Sequence, residues 1–396
     1  MRLKRATDYV FDNSLLLIAG AVVGLSWANL APHGYEWLRD LSFLTFRPQL
    51  QAEAAGHGVT LQYLVNDVLM AFFFALAGKE VWAAMLPGGA LCERRRAALP
   101  VLCALGGMAG PALVFVAGGA FLGQLGEVGR GWAIPCATDI AFSYLIARLV
   151  FGKEHPATPF LLLLAIADDA FGLLIIALFY PQKQVTLSWL ALSIAAVLMG
   201  LAMRRLKVKS FWWYLVFPGT LSWAGFELAG IHPALGFLPI IPTLPHARTG
   251  EAMLVWGTSP RTDALDAFES AWKRPVEVIL GFFGLLNAGV ALSAFSAVTG
   301  LVLVALLAGK PAGIALSALV GRRFLGLHLP RGVGIRELLV LGCAAGIGFT
   351  VAFFVATVAF APGPLQDAAK MGALASCLAA LVAVVAAKLL GVRRAA

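Results

Sequence analysis

Long apolar runs separated by short polar stretches dominate the chain. They lie near 14–30, 61–86, 99–122, 133–147, 158–180, 187–203, 211–225, 229–243, 275–294, 298–320, 338–360 and 368–390. A helix needs about 20 predominantly apolar residues to cross a bilayer, so the pattern predicts an all-α polytopic membrane protein of about twelve spans. The least distinct pair flanks Gly225–Gly230, where one long hairpin and two short helices give the same profile. The external segment 32–60 carries PHG, RPQL and GHG clusters between short mixed runs, and a small hairpin or a surface helix is expected there. The polar stretch Pro245–Pro275 is either a loop or a helix entering the ninth span. The start, MRLKR before an apolar run, imitates a signal peptide, but the many spans behind it favour an uncleaved first helix.

Two spans are interrupted. The fourth, GWAIPCATDIAF, has Pro135 and a charge inside an apolar run, and proline removes an intrahelical hydrogen bond. The eleventh, GCAAGIGFTVAFF, places Gly342, Gly346 and Gly348 in mid-span, where each glycine lowers helix propensity by up to ~1 kcal/mol. Each lies in a helix–broken helix–helix unit, at 99–180 and 298–390. An even number of spans precedes the first unit and an odd number the second, so the two run in opposite senses through the membrane. Such an inverted repeat with broken helices points to a transporter whose site lies at the repeat interface. The whole chain, 1–396, is expected to form one transmembrane transporter domain.

Composition agrees. The chain is 60% hydrophobic and 13% charged, against about 25% charged in ordinary soluble domains. A net charge of +9 is compatible with a nucleic-acid partner, but its distribution excludes that. With both termini in the cytoplasm, all but seven of the 30 Lys and Arg residues fall in inside segments. Arg39, Arg47, Arg130, Lys183 and Lys370 fall outside; Lys79 and Lys310 fall within spans. Among the outside segments only that of Arg39 and Arg47 holds as many basic residues as any inside loop, equalling the two of Arg148 and Lys153. The basic charge is therefore a topology signal. Cys92, Cys103, Cys136, Cys343 and Cys377 have no metal or redox spacing and read as small hydrophobes.

The chemistry concentrates in LLLLAIADDAFGLLIIALFY, residues 161–180, where Asp168 and Asp169 stand side by side in mid-span. A charge at the bilayer centre costs at least ~2.5–3.5 kcal/mol. Successive helical residues point about 100° apart, so the two carboxylates occupy different environments and suggest two roles. Asp139, after Thr138 in the first break, is placed to offset positive half-helix ends; Lys310, in LLAGKPAGIAL, is placed to offset negative ones. Hard cations take oxygen ligands, while low dielectric disfavours the charged form of acids and bases alike. A site of Asp168, Asp169, Asp139, Thr138 and Lys310 can hold protons or a small cation in competition. That competition is the basis of cation/proton exchange.

The motifs GWAIPCATDIAF, LAIADDAFGLLIIALFY, LLNAGV, GKPAGI and GIGFTVAFFVATVAF resemble the NhaA-type bacterial sodium/proton antiporters, in order and spacing from about Leu61 to the C-terminus. The resemblance implies twelve spans with two crossed, unwound helices, and electrogenic exchange of H+ for Na+ or Li+ at the bacterial inner membrane. No cofactor is implied beyond the transported ions. Asp168 and Asp169 would bind cation and proton, Asp139 and Thr138 would sit in the first crossing, and Lys310 would pair with Asp168 or balance helix ends. Glu80, Asp67, His232 and Glu269 match positions tied to pH response or the access funnel. Residues 45–58 would form a dimerising hairpin. The chain departs from the family at Lys79, at Trp82–Ala84, at DDAFG in place of DDLGA, and near Glu269, which lacks neighbouring histidines. These changes bear on the pH set-point.

Two rivals remain. An intramembrane aspartyl protease would need Tyr-Asp and Gly-x-Gly-Asp pairs, both absent, and has no use for Lys310. A sodium-coupled solute symporter of related architecture would need a polar, solute-sized pocket, for which the repeats offer mainly Asn287 and a few hydroxyls.

Overall fold

A computed structural model describes residues 14–44, 59–152, 154–246 and 263–392. The chain begins with α1 (Leu15–Leu30), a short α2 (Pro32–Arg39) and an antiparallel pair of β1 (Ser42–Leu44) with β2 (Val59–Thr60). The segment 32–60, expected to be external, thus contains a short helix and an antiparallel strand pair, while residues 45–58 lie outside the described residues. Then come α3 (Leu61–Met85), α4 (Arg94–Phe121), α5 (Leu125–Cys136, mostly 3-10) and α6 (Ile140–Val150). They are followed by α7 (Ala157–Phe179), α8 (Leu187–Arg205) and α9 (residues 211–229). After two 3-10 turns at Pro233–Leu235 and Leu238–Thr243 come α10 (Ala264–Asn287), α11 (Ala297–Phe324), α12 (Ile335–Ala345), α13 (Phe349–Ala359) and α14 (Pro364–Leu389). Among the described residues α3, α4, α7, α8, α11 and α14 are each long and apolar enough to cross a membrane. The pairs α5/α6 and α12/α13, each bent by 54°, are two broken spans.

The twelve apolar runs all coincide with helical elements, with two corrections. The eighth is not a regular helix. Gly230 ends α9 in the left-handed region at φ 79°, and Pro233, Pro239 and Pro242 leave 233–243 too few backbone donors for anything but 3-10 turns. The ninth starts early, at Ala264, where Asp263 accepts a 2.8 Å bond from the Asp266 backbone N–H. It ends at Asn287, short of the expected 294. The Pro245–Pro275 stretch is thus, from Ala264 onward, a helix entering that span.

The chain divides into two compact units. The described parts of Met1–Lys79 and Pro181–Ala291 form the first, those of Glu80–Tyr180 and Leu292–Ala396 the second. In the first, α1 lies against α10 at glycines: a Cβ on Gly20 would come 2.0 Å from the Gly281 carbonyl oxygen. In the second, α4 lies against α11 through Gly106 and Gly110 facing Gly309 and Gly313, where a Cβ on Gly313 would come 2.0 Å from the Gly106 oxygen. Helices in lipid associate by such close backbone approach, having no hydrophobic drive to do so. The second unit holds both stretches read as repeats, 99–180 and 298–390. Its α11 widens into a π turn at Ala305–Gly309 just before Lys310–Pro311, which accommodates the proline and reorients the lysine.

Candidate functional site

The two broken spans of the second unit meet at their breaks. The Asp139 N–H donates to the Ile347 carbonyl at 2.7 Å. Its carboxylate caps both following half-helices at once. Oδ1 accepts from the Phe142 N–H at 3.3 Å in the first turn of α6, and Oδ2 accepts from the Thr350 hydroxyl at 2.9 Å and N–H at 3.3 Å in the first turn of α13. A single acid thereby faces two positive helix ends. Two hydroxyls secure the crossing: Ser143 donates to the Ala344 carbonyl at 2.9 Å, and Ser376 Oγ accepts from the Gly348 N–H at 3.2 Å.

Lys310 stands at the opposite pole. It has no exposed surface, and its Nζ donates to the Cys136 carbonyl, at the negative C-terminal end of α5, and to Asp168 Oδ2 at 3.0 Å. Asp168 is buried as well. Its other oxygen, Oδ1, is buried without a hydrogen-bond partner, as is the Thr138 hydroxyl. Asp169, the next residue of α7, is half-buried and makes no hydrogen bond or ion pair among the described residues. The adjacent acids thus differ as their 100° offset requires: one is locked to a lysine, the other makes no such bond.

Within the second unit Lys310 ties Asp168 to Cys136, which stands two residues before Thr138 and three before Asp139, and Asp169 is close enough to Asp168 and Asp139 to interact with both electrostatically. Glu80 is exposed in the same unit and lies close enough to act electrostatically on Asp169. Asp67, His232 and Glu269 belong to the first unit. There His232 Nε2 lies 3.8 Å from Asp67 Oδ1, and Trp223 Nε1 donates to the Asp67 carbonyl at 3.1 Å. Glu269 accepts from Lys79, whose Nζ is also 3.8 Å from Asp266. The lysine that departs from the family pattern is thereby buried against the acid that lacks its neighbouring histidines. Asn287 exchanges amide hydrogen bonds of 2.8 and 3.2 Å with Asn66. Sequence reasoning missed Thr350, Ser143, Ser376 and the Cys136 carbonyl. The one available signal was a hydroxyl following each break. Among the described residues no cluster of three or more His, Cys, Asp or Glu side chains is gathered as a metal centre.

Crossed broken helices, with a buried acid on their positive ends and a buried lysine on a negative one, define a polytopic membrane transporter of the inverted-repeat class. The family model described as Na+/H+ antiporter 1 matches residues 7–387, and the chain belongs to that family. It is 46% identical to the Na(+)/H(+) antiporter NhaA of Jannaschia sp., over 98% of this chain and 99% of that one. It is 44% identical to NhaA of Desulfitobacterium hafniense, covering 99% and 97% of the two chains. With NhaA of Geobacter sulfurreducens the identity is 44%, over 99% of this chain and 100% of the other. The solved sodium/proton antiporter MjNhaP1 of Methanocaldococcus jannaschii shares the fold, with a TM-score of 0.54 at 15% identity, over 99% of this chain and 100% of that one. These relatives carry the names of antiporters, not of enzymes, and the chain is a multi-pass membrane protein.

Proposed function

We propose that this chain exchanges Na+ or Li+ for H+ across the bacterial inner membrane by alternating access, in sodium and pH homeostasis. The observation that carries this reading is the asymmetry of the acidic pair: Asp168 is bound to Lys310, and Asp169 has no partner among the described residues. Asp169 ligates the cation, with the Asp168 carboxylate and Thr138 hydroxyl as nearby oxygens. Protonation of the acids expels the cation, and the cation expels protons. Two titratable carboxylates set against one monovalent ion make the exchange electrogenic. Asp139 and Lys310 hold the half-helix ends while the site changes access, and no cofactor takes part. The stretches 99–180 and 298–390 act as inverted-repeat units of a single transporter domain, with both termini in the cytoplasm. Glu80, Asp67, His232 and Glu269 tune access and pH response. The dimerising role expected of residues 45–58 falls outside the described residues. The symporter alternative loses its main polar group, because Asn287 is engaged with Asn66.

The test is ΔpH in proteoliposomes, acid inside, on addition of NaCl, LiCl or KCl between pH 6.5 and 9. Na+ and Li+ are expected to dissipate the gradient and K+ is not. Asp169→Asn is expected to abolish exchange and cation binding, and Asp168→Asn to cripple exchange. Normal exchange by both variants would refute the site, and sodium-driven solute uptake without proton movement would establish the symporter.

A further inference from the structure

The spanning helix α11 ends at Phe324, and α12 begins at Ile335. Residues 322–336, which connect these ends, contain four arginines and no acid. Gly326 turns the chain in the left-handed region at φ 63°, and the Leu325 and Leu327 N–H groups both donate to the Gly321 carbonyl at 3.1 Å. Leu327, Leu329 and Val333 then pack onto a buried cluster that includes Leu99 of α4, Phe160 of α7 and Leu338 of α12. With that side of the loop pinned, Arg322, Arg323, Arg331 and Arg336 are all exposed. Among the described residues none of the four makes a hydrogen bond or an ion pair, and only Arg323 has a neighbour of note, the Phe324 ring at 5.9 Å. The next acid in the chain, Glu337, is already engaged, accepting from the Gly334 N–H at 2.7 Å. Two large apolar side chains stand beside the arginines, Phe324 at 76% and Leu325 at 61% exposure.

We propose that residues 322–336 bind the headgroup of an anionic phospholipid, with the arginines on its phosphate and Phe324 and Leu325 against its acyl chains. Guanidinium groups take phosphate oxygens two at a time. A basic segment beside a span draws anionic lipid with about fivefold in affinity for each arginine. Charge alone would suit any soluble phosphate. Exposed apolar side chains at the point where a spanning helix ends call for a ligand that also carries hydrocarbon. The general excess of Lys and Arg on one side of the membrane orients the chain by number. It requires neither a loop pinned by three inward residues nor arginines left without partners, and this segment has both. The bound lipid ties to the membrane surface the end of α11, the helix that carries Lys310. The inference stands apart from the exchange reading, because binding is measured without transport.

The test is hydrogen–deuterium exchange of the full chain in phosphatidylcholine nanodiscs with increasing phosphatidylglycerol. Amides of 322–336 are expected to exchange severalfold more slowly as phosphatidylglycerol rises. Inorganic phosphate added to pure phosphatidylcholine discs should give no such protection. Arg322→Gln/Arg323→Gln is expected to raise the phosphatidylglycerol fraction for half-protection by about tenfold or more, and Arg331→Gln/Arg336→Gln to do the same. Arg130→Gln, at an exposed arginine of α5, is the control and should leave the protection at wild type. Melting temperature checks folding, and the single variants Arg322→Gln and Arg336→Gln decide if a double variant is unstable. Equal exchange of the wild type in the two lipids would overturn the proposal. So would wild-type protection in both double variants. Equal protection by inorganic phosphate would overturn the lipid and make a soluble phosphate the ligand.

Discussion

Lys310 is fully buried, and so is the Asp168 carboxylate that it binds. Removing one partner of such a pair leaves an uncompensated charge, at a cost of about 3–5 kcal/mol. Lys310→Ala is therefore expected to lower the melting temperature and to shift the pH profile more than it lowers the maximal rate. An unchanged melting curve and profile would show that the contact contributes nothing. Thr350 acts on Asp139 by hydroxyl and backbone together, and a hydrogen bond to a charged group contributes about 1.5–3 kcal/mol. Thr350→Val should lose that much stability by thermal or denaturant melts, and Thr350→Ser should recover it. The acids and the lysine were legible because a charge in an apolar run stands out from its neighbours. Thr350, Ser143 and Ser376 were not, because a hydroxyl in a membrane helix is unremarkable until its partner, here 211 residues away for Thr350, is known.

Helix partnership in this chain runs through glycine. The contact of α4 with α11 leaves no room for a Cβ at Gly106, Gly110 or Gly313, and overpacking a tight interface costs about 1–3 kcal/mol. Gly313→Ala is expected to lower the melting temperature by several degrees, whereas Gly300→Ala on the same helix leaves it unchanged. Equal melting of the two variants would refute the close-contact account. Element boundaries were legible where apolar length decided them, as in α7 and α14. They failed at 233–243, where hydropathy does not register the backbone donors that prolines remove. They failed again at Ala264, where a polar helix extends beyond its apolar span and Lys79 reaches Glu269 and Asp266. The Lys79–Glu269 pair was not foreseeable, since each residue by itself reads as a departure from the family pattern.

At the scale of the molecule, the inside excess of Lys and Arg gives an orientation that a reporter can check. GFP fused after the C-terminus is expected to fluoresce, and alkaline phosphatase fused near Gln184, between α7 and α8, to be active. A dark GFP with an active C-terminal phosphatase would reverse the assignment. The apolar stretches, their interruption at Pro135 and at Gly346–Gly348, and the presence of ionisable groups in apolar surroundings followed from the sequence alone. Each is a property of a local stretch meeting lipid, where every backbone and charged group must find an internal partner. Which partner it finds was decided only in three dimensions. Asp139 caps two helices from the two broken spans, Lys310 bridges Asp168 to the Cys136 carbonyl, and Asp168 keeps one buried oxygen without a hydrogen-bond partner. Those pairings join residues far apart in the chain, and hydrogen bonds across such distances leave no periodicity in the sequence that makes them.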